Sequence, residues 1–370
     1  MVLKKFLGLV ELHNSWRSGE LIRGFSVTLE LAFRCNLRCV FCSRWNDPED
    51  LSLEVIEQVA ADMSQLDAGY VSLTGGEPFV RKDIKEIIEV FEDAGIPIHI
   101  NTNGVLLGRF ADYLRSKADS FIGITVSLDS SEAELHDEIR GVEGAFRKAI
   151  AGIEAVRESI PVSIACTLNH RNLGEIETFA EFARSHGYSF RFQPLHNDGD
   201  NQLSPNEEGV DVEASSLNGL TARLESTLTP ADDYSLRQYY RLFEPFFRDR
   251  AGMKSLRCTA AARTIFFVDP IGDVYPCDTR RDVNLGNVYQ RRFLEIARGR
   301  LAKDWRTTCQ DGENGCWCMY ACVAPMNVRN QFLPLVPIFA RGFPVGHRWK
   351  SIEDRLRHQA CDNQGGDIHD

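Results

Sequence analysis

Between residues 25 and 195 the apolar pattern alternates about six times between a two-residue period and a helical one. Period-two runs fall at 25–31, 70–74, 96–100, 122–129, 162–168 and 190–193. Helical patterns lie between them over 51–66, 145–158 and 173–186, and Ile84, Ile87, Ile88 and Phe91 recur at i, i+3, i+4 and i+7. Strands separated by helices in this order pair in parallel, because each right-handed crossover returns the chain to the same sheet. An open doubly wound sheet buries both strand faces and favours continuous apolar runs. Here Thr125, Ser127 and Asp129 share one face, and Ile124, Val126 and Leu128 share the other. A polar face at a strand's C-terminal end suits a barrel with a ligand at its mouth. Six units rather than eight predict a partial barrel. The expected fold class is α/β: a partial (β/α)6 TIM-like barrel with a smaller, cysteine-rich C-terminal domain.

The chain of 370 residues is 43% hydrophobic and 26% charged, which excludes a disordered or fibrous protein. A net charge of −11 argues against a nucleic-acid partner. No apolar run reaches the eighteen or so residues of a membrane span, and Pro334, Pro337 and Pro344 interrupt the greasiest stretch. Glu11 and His13 stand where a signal peptide would need its cleavage region, so the expectation is a mature cytoplasmic protein. The expected organisation is an N-terminal extension at 1–24, the barrel at 25–196, a linker or lid with a helix at 197–254, the cysteine-rich domain at 255–361 and a tail at 362–370. Residues 237–306 hold 15 Lys and Arg against 8 Asp and Glu, a local excess inside an acidic chain.

Eleven cysteines in a chain of this size are an odd number with no need of disulfide staples, and their clustering points to metal. Cys35, Cys39 and Cys42 form a CxxxCxxC motif just after the first predicted strand. Three thiolates this close suit an iron–sulfur cluster, whose fourth iron is then free to bind something else. The competing reading is a zinc knuckle, which wants a fourth Cys or His nearby. None of the histidines lies between His13 and His99.

With Phe41 preceding the third cysteine, the motif resembles the signature of the radical S-adenosylmethionine (radical SAM) enzymes. The resemblance implies a 4Fe–4S cluster whose open iron chelates S-adenosylmethionine, with reductive cleavage to a 5′-deoxyadenosyl radical. It extends to Gly75, Gly76 and Glu77 after the second strand, similar to the family's GGE contact to the S-adenosylmethionine amino group. Glycines there let the backbone approach closely, and a carboxylate can accept from an ammonium. By the same resemblance Ser127 and Asp129 meet the ribose, Arg140 the carboxylate and Leu195 the adenine. Asn101 opens an Asn-Thr-Asn-Gly turn like one in the family.

Cys258, Gly272 and Cys277 fit C-x(9–15)-G-x(4)-C, the opening of the SPASM or twitch extensions that carry auxiliary clusters in a radical SAM subgroup. Cys309, Cys316, Cys318, Cys322 and Cys361 supply the remaining number, although Gly312 stands where the family has its second cysteine of the run. Carried over, Cys258, Cys277 and Cys322 ligate a first auxiliary 4Fe–4S cluster. Cys309, Cys316 and Cys318, with Cys361, hold a second if it forms. Asp278 matches a residue proposed as the base in sulfatase-maturing members, while Cys166 reads as a core residue of the fifth strand. The resemblance implies an external electron donor such as flavodoxin or ferredoxin.

Family membership fixes the initiating chemistry and not the product. The 34 residues before Cys35 are too few for a winged-helix peptide-recognition domain, which favours a small substrate such as a sugar, cyclitol or nucleoside. The expectation is an oxidoreductase whose auxiliary cluster accepts an electron. Two alternatives stand beside it: a redox-neutral epimerase with a cysteine hydrogen donor, Cys166 among the candidates, and a modifier of peptides or proteins.

Overall fold

The computed structural model describes residues 18–42, 49–195, 214–229, 234–248, 258 and 260–308. These belong to one compact unit, and the second unit, Gln331–Asp370, lies outside them. Cys309, Cys316, Cys318, Cys322 and Cys361 also fall outside the described residues.

Six strands run in the order of the sequence: β1 (Ser26–Glu30), β2 (Tyr70–Thr74), β3 (Ile98–Thr102), β4 (Phe121–Ser127), β5 (Val162–Leu168) and β6 (Ser189–Pro194). Each pairs in parallel with the next. The connections carry α1 (Leu53–Gln65), α2 (Ile84–Asp93), α3 (Ala111–Ser116), α4 (Ala133–Arg140), α5 (Ala145–Val156) and α6 (Ile176–Ser185). This is the expected partial barrel. The third strand begins two residues later than predicted because Pro97 has no N–H to give a ladder; its carbonyl still accepts from Val71.

The two faces of the sheet differ in kind. Val27, Leu29, Val71, Leu73, Ile98, Ile100, Ile124 and Val126 join the helix-side core with no exposure above 1%. On that side Ile84, Ile87, Ile88 and Phe91 of α2 are fully buried, so the i, i+3, i+4, i+7 pattern marks a real packing stripe. The opposite face carries Ser72, His99, Asn101, Thr125 and Ser163.

Beyond β6 come α7 (Leu220–Ser226), α8 (Tyr234–Arg241) and α9 (Phe243–Arg248). Tyr239, Tyr240, Phe243 and Phe246 are buried, and the Tyr240 hydroxyl accepts from the Phe192 N–H on β6. The segment expected as a linker or lid therefore contains helices that cover a sheet edge. On the other edge β7 (Ile265–Val268) pairs in parallel with β1 and continues antiparallel into β8 (Asp273–Tyr275) and β9 (Gly286–Asn287). Two short helices, α10 (Phe293–Arg298) and α11 (Arg300–Thr308), follow. The described part of the cysteine-rich region thus shares one sheet with the barrel.

Candidate functional site

The cysteine loop leaves the C-terminal end of β1 and is held by backbone on two sides, at the end of α4 and at the GGE turn. Arg38 and Val40 N–H groups donate to the carbonyls of Arg140 and Ile139 at the end of α4, at 3.0 and 2.9 Å. Gly141 makes that approach possible: at φ +69° it closes the helix, and a Cβ there would lie 2.1 Å from the Arg38 carbonyl oxygen. Gly76 is equally tight, since a Cβ would meet the Phe33 and Arg34 carbonyl oxygens at 2.2 and 2.3 Å. The glycines of the GGE sequence are required by the close pass of the cysteine loop.

Glu77 is fully buried. Its Oε1 accepts from Phe79 N–H at 3.2 Å and the Thr102 hydroxyl at 2.7 Å, and its Oε2 accepts from Asn103 N–H at 2.7 Å. Burial pushes its carboxyl up to about 7, against the pull of these donors. The carboxylate expected to meet a ligand ammonium is thus committed to joining the GGE turn to the Asn-Thr-Asn-Gly turn after β3. Asn103 then reaches the cysteine loop, its Nδ2 lying 2.8 Å from Asn36 Oδ1 and 3.7 Å from Cys35 Sγ. Asn101, by contrast, points into the barrel and donates to the Ser72 hydroxyl at 2.9 Å.

Asp129 and Arg140 are both buried and form an ion pair at 2.6 Å, off the line of an ideal hydrogen bond. Asp129 Oδ1 also accepts from Thr167 N–H at 2.9 Å. Arg140 stacks 5.5 Å from the Phe41 ring centroid and points Nη1 at Cys39 Sγ, 3.8 Å away. Burial opposes the guanidinium charge, but Asp129 and Cys39 outweigh it and raise the Arg140 pKa. The structure thus draws together two residues to which the resemblance gives separate ligand contacts. Ser127 ends β4, half-buried beside them. Leu195 packs with Leu37, Cys39, Phe41, Ile139 and Ala145 in one small apolar cluster.

Cys35 and Cys42 are half-buried and Cys39 is buried. Burial pushes the Cys35 thiol up to about 12 and raises Cys39, while Leu37 N–H and Arg140 respectively pull the other way. Among the described residues no three Cys, His, Asp or Glu side chains converge as a single metal ion requires. A cubane asks for something else: thiolates spaced around it, one to each iron. Three cysteines on one loop, with Leu37 N–H 3.4 Å from Cys35 Sγ and a guanidinium beside Cys39, fit that group.

Cys258 and Cys277 come together with Ala260, Ala261 and Ile265 in a second small cluster beside β7. The two segments are locked by Ala262 N–H donating to the Pro276 carbonyl at 2.7 Å. Gly272 turns between β7 and β8 at φ +86°, where a Cβ would strike the Tyr289 ring at 2.4 Å. That contact is the physical content of the glycine in the spacing. Asp278 lies half-buried on the turn after Cys277, its carbonyl accepting from Arg281 Nε at 3.3 Å. Arg281 in turn pairs with Glu30, the last residue of β1, at 3.0 Å.

One candidate is moved away from the site. Cys166 is buried among the helix-side core residues, bonded to the Asp129 carbonyl and to Asn172. It faces away from the barrel interior, the placement expected of a core residue of the fifth strand. The sequence reading also missed the inner-face network: Ser72, His99, Thr125 and Ser163 are single polar residues in separate strands. The period-two pattern that placed Thr125 inward was the available signal.

A partial parallel barrel with a three-cysteine loop at its mouth is the arrangement that suits an iron–sulfur cluster at the C-terminal ends of the strands. Residues 29–183 match the Radical SAM superfamily model, and residues 258–323 match SPASM, an iron–sulfur cluster-binding domain. The chain thus carries a radical SAM domain and, C-terminal to it, a SPASM iron–sulfur cluster-binding domain, whose cofactors are iron–sulfur clusters and S-adenosylmethionine. It is similar to the mycofactocin maturase MftC of Mycobacterium tuberculosis, 28% identical over 68% of this chain and 63% of that protein. The chain thus spans less than two thirds of that relative's length. The AdoMet-dependent heme synthase of Methanosarcina barkeri is 29% identical over 73% of this chain and 81% of its own. In fold it resembles Streptococcus suis SuiB bound to the precursor peptide SuiA, with TM-score 0.59, 16% identity, and coverage of 80% of this chain and 69% of that one. No helix among the described residues is long and apolar enough to cross a membrane.

Proposed function

We propose that this radical SAM enzyme modifies a peptide or protein substrate by hydrogen abstraction. The observation that carries the reading is the match to a maturase, MftC, along 68% of the chain, together with the fold likeness to SuiB bound to a precursor peptide. It moves the small-substrate expectation, which rested on the short N-terminus, to second place. That second reading has support of its own in the heme synthase relative, and takes a tetrapyrrole as its substrate.

In this reading Cys35, Cys39 and Cys42 hold the cluster, and an external donor such as flavodoxin or ferredoxin reduces it. A cluster held there would supply the one-electron reduction of S-adenosylmethionine from which hydrogen abstraction would start. The chain's residues divide the remaining work. The Gly75–Gly76 turn brings backbone against the cysteine loop, and Glu77 locks that turn to the strand-three turn. Arg140, fixed by Asp129 and Phe41, places a positive charge beside Cys39. Ser127 and Leu195 line the same end of the barrel. Cys258 and Cys277, with Cys322, hold an auxiliary cluster, and Asp278 beside them is the candidate base. The Arg281–Glu30 pair ties that loop to the strand that leads into Cys35.

The test is anaerobic reconstitution of the parent and of a variant with Cys35, Cys39 and Cys42 changed to Ala. The variant should lose about four irons and all S-adenosylmethionine cleavage. Candidate precursor peptides are then incubated with the parent, and a change in peptide mass is sought. Modification of a tetrapyrrole and of no peptide would transfer the assignment to the second reading.

A further inference from the structure

Among the described residues the inner face of β1 to β6 carries one acidic and one basic strand residue, Glu30 and Arg191, and they are treated differently. Glu30 is paired with Arg281. Arg191 sits in the middle of β6, between Phe190 and Phe192, whose rings pack on Phe179 of α6. The two-residue period therefore turns Arg191 to the opposite, inner face, beside Ala165 of β5. Ala165 is small and leaves the guanidinium room. Arg191 is half-buried, and among the described residues its guanidinium has no hydrogen bond, ion pair or ring contact.

Among the described residues, Ser72, Asn101, Thr125 and Ser163 on the same inner face are polar and carry no charge. His99 contacts the Ser72 hydroxyl through Nδ1 at 3.4 Å and the Thr125 hydroxyl through Nε2 at 3.1 Å. Burial, and then the field of Arg191, push the imidazole down to about 4, so it is neutral near pH 7. A half-buried cation facing neutral groups lacks the counter-charge that such a position ordinarily holds. Guanidinium presents paired donors in one plane, the geometry that grips a carboxylate.

We propose that Arg191 is the anchor of a carboxylate subsite inside the barrel, and that the substrate's own carboxylate completes the pair. The subsite deepens the function proposed above without requiring a peptide. A peptide supplies a carboxylate from Asp, Glu or its C-terminus, and a tetrapyrrole supplies one from a propionate.

The test uses cluster-loaded protein with S-adenosylmethionine bound, kept anaerobic, as parent, Arg191→Gln and Arg191→Lys. Two random peptide libraries, one with free C-termini and one amidated, are passed over each. Mesoporphyrin and its dimethyl ester are titrated in parallel. Equal iron content and equal S-adenosylmethionine binding in the three proteins establish that the variants are intact. The parent should prefer carboxylate-bearing ligands by about tenfold or more. Arg191→Gln should abolish the preference and Arg191→Lys keep part of it. Enrichment of acidic side chains in both libraries assigns the subsite to Asp or Glu, and enrichment confined to free C-termini assigns it to the terminal carboxylate. A preference for the free porphyrin alone keeps the subsite and overturns the peptide reading. Absence of any carboxylate preference in the parent, or a preference undiminished in Arg191→Gln, overturns the subsite even where peptides are captured.

Discussion

The inner and outer faces of the parallel sheet are built from the same strands and obey opposite rules. Outward, Leu73, Ile100 and Val126 are sealed against helices with no exposure. Inward, Ser72, His99, Asn101 and Thr125 are joined by hydrogen bonds from strand to strand. The outer face is held by area removed from water and tolerates little loss of volume. The inner face is held by satisfied polar groups, which rigidify the interior while leaving it able to receive polar ligands. A parallel sheet covered by helices on both faces would be apolar on both. One polar face suits an interior that receives a ligand, as the mouth of a parallel barrel does.

Where the faces meet, at the strands' C-terminal ends, the largest effect is expected. Arg140→Gln leaves the buried Asp129 carboxylate without its partner and should cost about 3–5 kcal/mol. It should also shift the reduction potential of the cluster, read by redox titration. A variant as stable as the parent would show that the pair is not buried as described. Next comes a direct contrast of adjacent residues. Phe192→Ala, facing out, should cost about 3–5 kcal/mol in denaturant unfolding. Arg191→Gln, facing in, should stay within about 0.5 kcal/mol of the parent. Equal costs would erase the distinction between the faces.

The third effect is one of pH. His99, lowered to about 4 chiefly by burial, stays neutral in the fold, while in the unfolded chain it takes a proton near its ordinary value of 6.5. Its contribution is therefore present above about pH 6.5 and lost as the pH falls through about 4. His136 is lowered in the same way, to about 4, with burial again the main cause. His99→Gln should remove part of this acid sensitivity in unfolding curves and leave the rest. An unchanged curve would place the imidazole in contact with water. The smallest effect belongs to Ser72→Ala, which breaks a bridge between His99 and Asn101 and should cost about 1 kcal/mol. No loss at all would mean that the inner network adds nothing to stability.

Much of this was legible in the residues. The runs 70–74 and 162–168 are strands over those same spans, because alternation at period two leaves no other regular element for them. The motif glycines were legible as positions, yet their reason is tertiary: Gly76 is needed because Phe33 and Arg34 pass within van der Waals distance of it. Glu77 shows the limit most clearly. Its sequence setting suggests a ligand contact, and only the approach of Thr102 and Asn103 from the next strand adds two internal donors to the local Phe79 N–H on its carboxylate.

The sequence by itself determined the alternation, the parallel pairing and the grouping of Cys35, Cys39 and Cys42, since periodicity and short spacing are local properties. Tertiary structure alone decided which polar groups spend their bonds on each other. Asp129 and Arg140 pair across a helix, Cys166 turns to the core, and Arg191 turns inward beside Ala165 without a partner among the described residues. A polar side chain's availability depends on what stands within about 3 Å of it, and in a parallel barrel those neighbours come from strands tens of residues away.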